Sequence, residues 1–116
     1  MKTAYHKDLS QKAWSRFTLA VQLANIGSEV IRAINWQKRG NAEYARLAFY
    51  RALELTDLTI MTRPGPARIR EFTRMRTALV DYFDGTNSFA SSDKNWTAYF
   101  TAFTVAAAHE RERGLA

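Results

Sequence analysis

At 116 residues the chain has the length of one ordinary domain, long enough to bury a core and too short for two. Its 47 % hydrophobic and 13 % aromatic content argues against disorder, and the absence of cysteine excludes disulfides, thiolate metal sites and thiol nucleophiles. A formal net charge of +6 invites a polyanionic partner, because clustered Lys and Arg attract phosphates by Coulomb forces and counterion release.

The amino terminus, MKTAYHKDLSQK, has no apolar h-region, and no stretch approaches the roughly 18 uninterrupted apolar residues a membrane span requires. The expectation is therefore a single cytoplasmic domain over 1–116, without membrane contact. Apolar residues recur at spacings of three and four, and both prolines and four of the five glycines fall between these segments. That pattern predicts an all-α, up-and-down four-helix bundle, with helices at about 9–38, 42–63, 66–84 and 92–113.

The first predicted helix begins at an N-cap, Asp8 or Ser10, and stops at Gly40. It carries two adjoining stripes, Trp14, Phe17, Val21, Ala24 and Ile31 on one side and Leu19, Leu23, Val30 and Ile34 on the other, broad enough for more than one neighbour. Gly27 in its middle costs about 1 kcal/mol relative to Ala, so either the helix bends there or another backbone crosses closely. Small residues beside it, Ala24 and Ser28, favour the crossing. Trp36, beside Gln37-Lys38-Arg39, lies on the polar side as a stacking platform, a bundle-end cover or a subunit contact.

The second helix is capped by Asn41 and presents Ala45, Ala48, Phe49, Ala52, Leu53, Thr56 and Ile60 on its main face. Leu47 and Leu58 fall on the opposite side, which predicts a second packing layer or a homodimer contact. The third helix opens with Pro66 and has Ile69, Phe72, Leu79 and Phe83 as its core face. A polar loop follows, with Phe89 as its anchor. Ser91 or Ser92 then caps a fourth helix whose core face is Trp96, Phe100, Phe103 and Ala107.

Between positions 63 and 76 stand five arginines and one acid, Glu71. At about 100° per residue, Arg70 and Arg74 lie together opposite Phe72 and Leu79, solvated along with Asp81. With Arg63 upstream they are the candidates for binding an anion or nucleic acid, since the guanidinium fork suits phosphate. Arg76 falls between Ile69 and Phe83, where an unpaired charge would be costly. Asp57 is its expected ion-pair partner, with Glu54 and Glu29 as alternatives; otherwise Arg76 and Arg68 form an anion or partner site.

No Glu-x-x-His pair, phosphate-cradling glycine loop, nucleophile elbow or zinc spacing occurs, and the two histidines, His6 and His109, stand near opposite ends of the chain. Neither a catalytic residue nor a cofactor or metal is expected. The pieces LANIGSEVIRAINW, KRGNAEYARLAFYRALELTDLTI, DYF and NWTAYFTAF resemble small uncharacterised prokaryotic helical-bundle proteins and, in outline, the HEPN superfamily. That resemblance implies a bundle that dimerises, a nucleotidyltransferase partner in a toxin and antitoxin pair, and, in active members, RNA cleavage through an Arg-x4-6-His motif. The motif is absent: Phe103 and Thr104 stand in the stretch before His109 where the arginine belongs. The reading is a non-enzymatic, dimeric interaction module docking an unknown protein through its basic surface, with RNA or nucleotide binding as the alternative.

Overall fold

The computed structural model describes residues 9–63 and 65–114; His6, the alternative cap Asp8 and Pro64 lie outside them. All regular structure among the described residues is helical, in five segments: α1 (Gln11–Ser15), α2 (Leu19–Lys38), α3 (Ala42–Thr62), α4 (Pro66–Asp84) and α5 (Asp93–Glu112). Three of the four expected helices appear within a residue of their predicted bounds.

The first does not run unbroken. It divides at 16–18, where Thr18 takes an extended conformation and its hydroxyl accepts from the Val21 N–H as the N-cap of α2, while Ser10 caps α1 through the Ala13 N–H. A cap hydrogen bond satisfies a helix-end donor that a continuous helix would not expose, so the break costs little locally. Tertiary contacts then favour it. Trp14 turns inward and donates from its indole nitrogen to Thr59 Oγ1 at 2.9 Å, and Gln22 Nε2 donates back to the Trp14 carbonyl at 2.8 Å. Phe17, assigned to the apolar stripe, is left on the surface by the same turn.

Helix α2 stops as its sequence requires. Gly40 follows Arg39 with φ +78°, a left-handed conformation that favours glycine, and Asn41 Oδ1 accepts from the Tyr44 N–H to start α3. Pro66 opens α4 in its first turn, and Ser92, not Ser91, caps α5 by accepting from the Asn95 N–H.

α2 lies between α3 and α5, while α3 also receives α1 and α4. The core runs through these contacts, with Leu23, Ile26 and Val30 of α2, Ala48, Ala52 and Leu55 of α3, Phe72 and Leu79 of α4 and Phe100 of α5. Gly27 marks the crossing of α2 and α5. A β-carbon there would stand 2.5 Å from Phe100 Cβ, so the backbones meet at a distance only hydrogen permits. α4 and α5, in contrast, do not pack closely along one another. Their separation leaves one side of the molecule open.

Candidate functional site

Helix α4 buries Phe72, Met75 and Leu79 and turns Arg70 and Arg74 outward, as a wheel at about 100° per residue requires. Arg68 is also exposed, and so is Ile69, which was expected in the core; residues 66–71 are exposed throughout. Among the described residues, none of Arg68, Arg70 and Arg74 has a hydrogen-bond or ion-pair partner. Two of these positive charges sit near the positive end of the helix dipole, with no acid in the first turn to offset it.

Glu71, one turn from both Arg68 and Arg74, is exposed and paired with neither, and several other acids are engaged elsewhere. Glu29 accepts from Arg32 at 2.6 Å and from Arg51 at 2.8 Å. Asp57 accepts from Arg76 Nε at 2.7 Å and from its Nη2 at 3.3 Å. Glu110 accepts from Thr18, and Asp93 from the Tyr82 hydroxyl. Arg76 and Asp57 keep 38 % and 47 % of their side-chain surface exposed. The pair therefore lies at the edge of the core rather than inside it, and Arg76 has both a partner and a route to water.

Arg63 stands apart from Arg70 and Arg74. Its Nη2 donates to the Phe17 carbonyl at 2.7 Å and its Nε to Gln22 Oε1 at 3.1 Å. The break between α1 and α2 exposes that carbonyl, and the guanidinium fills the need at the end of α3. The apolar periodicity runs across the break and outweighs the cap signal of Thr18 before Leu19, so the role of Arg63 does not follow from the sequence.

Of the two roles expected for Leu58, a second packing layer or a homodimer contact, the structure leaves the first: it is 1 % exposed. With α1, α2 and α4 all packed on α3, the side opposite its main face is closed at this level. Leu47, nearer the start of α3, does remain exposed, beside a shallow hollow of about 260 Å³ shared with Trp36, Tyr44 and Arg51. The Trp36 ring meets Tyr44 edge-on at 4.9 Å, and the Arg39 guanidinium carbon stands 5.2 Å from its centroid. One face available to a nucleic-acid base is thereby occupied by a cation–π contact.

Asp81 does not share solvent with Arg70 and Arg74. Its carboxylate accepts from the Ser88 N–H and hydroxyl, both at 2.9 Å, and from the Phe89 N–H at 3.1 Å. Loss of solvation pushes this carboxyl up, but the bonds from Phe89 and Ser88 outweigh it and hold it below the ordinary value. Asn87 and Ser91 exchange two further bonds, so the 85–92 loop is shaped by side-chain hydrogen bonds, with Asn87 and Ala90 at positive φ. Phe89 is 62 % exposed and does not anchor the loop; Asp81 does.

That loop and the separation of α4 from α5 border an open cleft of about 390 Å³. Met75, Ala78 and Trp96 line it with Phe89 and Tyr99, and Glu71 and Arg74 carry its charge. Burial, then the charge of Glu71, raises the Tyr99 phenol above its ordinary pKa, so it stays protonated near neutrality. Among the described residues the buried Trp96 indole N–H has no acceptor. No group of three or more His, Asp or Glu residues placed to hold a metal ion occurs among the described residues, and no described helix is long and apolar enough to cross a membrane. Comparison of the chain with protein-family models, curated proteins and solved structures finds no match.

Proposed function

We propose that this chain is a non-enzymatic interaction module of the cytoplasm, an up-and-down bundle of four long helices that docks an acidic protein partner through α4. The observation that carries the reading is that Arg68, Arg70 and Arg74 are exposed and unpaired among the described residues, three positive charges against the single nearby acid Glu71, while Glu29, Asp57, Asp81, Asp93 and Glu110 are engaged internally. Exposed Ile69 beside these arginines gives the face the apolar-plus-Arg character of protein interfaces. A homodimer would rest on Leu47 and Tyr44, without Leu58; sedimentation as a monomer at micromolar concentration would remove it.

Triple replacement of Arg68, Arg70 and Arg74 by Ser tests the docking face, because all three side chains are exposed and the fold does not need them. Tagged wild type should retain a protein partner from its native extract after nuclease treatment, and the triple variant should lose it. Capture of the same proteins by both would contradict the proposal. RNA binding through the same arginines is the second reading. It predicts that nuclease abolishes binding and that the triple variant lowers the salt dependence by roughly one charge per arginine removed.

A further inference from the structure

The four long helices close three sides of a ring and leave the fourth open. α4 packs on α3, α3 on α2 and α2 on α5, but α5 does not return along α4. The gap is the open cleft of about 390 Å³, with Met75 and Trp96, 6 % and 8 % exposed, as its floor and Ala78 half-buried beside them. Phe89 and Tyr99 stand at its rim, 62 % and 36 % exposed. Large apolar side chains around one open furrow, with arginine beside them, have the composition of the anchoring centre of an interface.

The two walls differ in charge. From Asn95 to Ala108 α5 carries no Asp, Glu, Lys or Arg, and Phe89, Ala90 and Ser91 of the loop add none. The charge of the furrow therefore comes from α4. At about 100° per residue Glu71 lies about 40° from Met75, in line with the floor, whereas Arg74 and Arg70 lie about 100° and 140° from it on the same side, along the outer lip. An occupant meets an apolar floor, an uncharged wall on α5 and a positive lip on α4.

All regular structure among the described residues is helical, so they offer no sheet edge to which an extended segment could add a strand and satisfy its main chain. A helix bonds its own main chain and needs only side-chain anchors at i, i+3, i+4 and i+7. We infer that the cleft receives one amphipathic helix of the acidic partner, its apolar stripe on Met75, Ala78, Trp96 and Tyr99 and its acidic flank over Arg70 and Arg74. This occupant rests on the docking reading of α4 and extends it to α5 and the 85–92 loop. Glu71, in line with the floor, repels acid there and so confines the partner's carboxylates to the lip.

A stapled helical peptide of about 15 residues, with Leu and Phe along one stripe and Glu along one flank, is a suitable probe. Its counterparts carry Lys on that flank or have the apolar residues scattered round the helix. Binding is read by fluorescence anisotropy and by proton–carbon NMR of the Met75 and Ala78 methyl groups. The Glu peptide should bind saturably and move both methyl signals, and the Lys and scattered peptides should bind at least about tenfold more weakly. Glu71→Gln should tighten the Glu peptide by about twofold or more. Ala78→Leu, which fills the furrow, and Tyr99→Ala, which removes its rim without entering the floor, should each weaken it at least about tenfold.

No binding of the Glu peptide at millimolar concentration would overturn the inference, as would equal binding of the Glu and Lys peptides, or binding that Ala78→Leu and Tyr99→Ala leave unchanged. Movement of the Met75 and Ala78 signals with protein concentration alone would assign the cleft to a second copy and reject it too. Capture of the native partner separates this site from docking itself. Capture retained by Ala78→Leu and Tyr99→Ala but lost on triple replacement of Arg68, Arg70 and Arg74 would place the partner on α4 alone, overturning the helix in the cleft and leaving docking intact. Capture unaffected by the triple replacement would contradict docking, and the occupant of the cleft with it.

Discussion

Trp14 and Trp96 are both buried, yet one sits in a completed polar network and the other does not. At the end formed by α1, α2 and α3, the Trp14 N–H is met by Thr59, its carbonyl by Gln22, and Gln22 in turn by Arg63, which also satisfies Phe17. On the side of α4 and α5, among the described residues, the buried Trp96 N–H has no acceptor, Arg68, Arg70 and Arg74 along α4 have no ion-pair partner, and the two helices stand apart. The first region has its polar groups answered from within the chain. The second presents exposed arginines that a partner could answer, and for that reason the proposed docking face falls there.

Removing the closed end's tryptophan should do the most damage. Trp14→Ala should lower stability by about 3–5 kcal/mol, through lost burial and the cavity left behind, measured by denaturant unfolding. Gly27→Ala comes next: its methyl meets the base of Phe100, and overpacking of about 1–3 kcal/mol should exceed the gain in helix propensity. A result at or above wild-type stability would mean that α2 and α5 can part at that crossing.

The two indole donors can be set against each other directly. Thr59→Val strands the Trp14 N–H and should cost about 1–3 kcal/mol, whereas Trp96→Phe removes a donor that has no acceptor and should stay within about 1 kcal/mol of wild type. Equal losses would erase the contrast. Smaller still, Asp57→Asn should cost no more than about 1 kcal/mol, because its pair with Arg76 is half-exposed.

The ends of α4 and α5 also differ in their response to pH. The Asp81 carboxyl is held below its unfolded value of 3.8, so its support of the loop is present above that pH and is lost as pH falls below it. The Tyr82 phenol, raised by burial first and then by its bond to Asp93 and that group's charge, is pushed up to about 12. Its contribution is complete below the unfolded value of 10.0 and disappears as pH rises through about 12. Ultraviolet titration of tyrosinate should show Tyr82 and Tyr99 titrating late, and Asp93→Asn should bring Tyr82 alone earlier.

Much of the helical outline was legible because local signals agreed. Asn41, Gly40, Pro66 and Ser92 each carry a cap or stop that depends on their own neighbours, and Gly27 near two small residues favours a close crossing over a bend, without saying which helix crosses. The break at 16–18 was missed although Thr18 before Leu19 is an N-cap signal, since the apolar stripe runs straight across it. For Leu58 the wheel leaves a packing layer and a subunit contact open, because it ranks the faces of one helix and cannot count its neighbours. Phe89 was read by hydrophobicity, but the loop is held by Asp81, a polar contact seven and eight residues away in sequence. The cleft had no signature at all: it arises from which helices fail to meet.

Hydrogen exchange of the chain, alone and with its captured partner, tests most directly whether recognition belongs to the open side. Binding should add protection across 66–78 and leave 10–22 unchanged. Protection confined to 10–22 and the facing end of α3, with α4 unaffected, would contradict it.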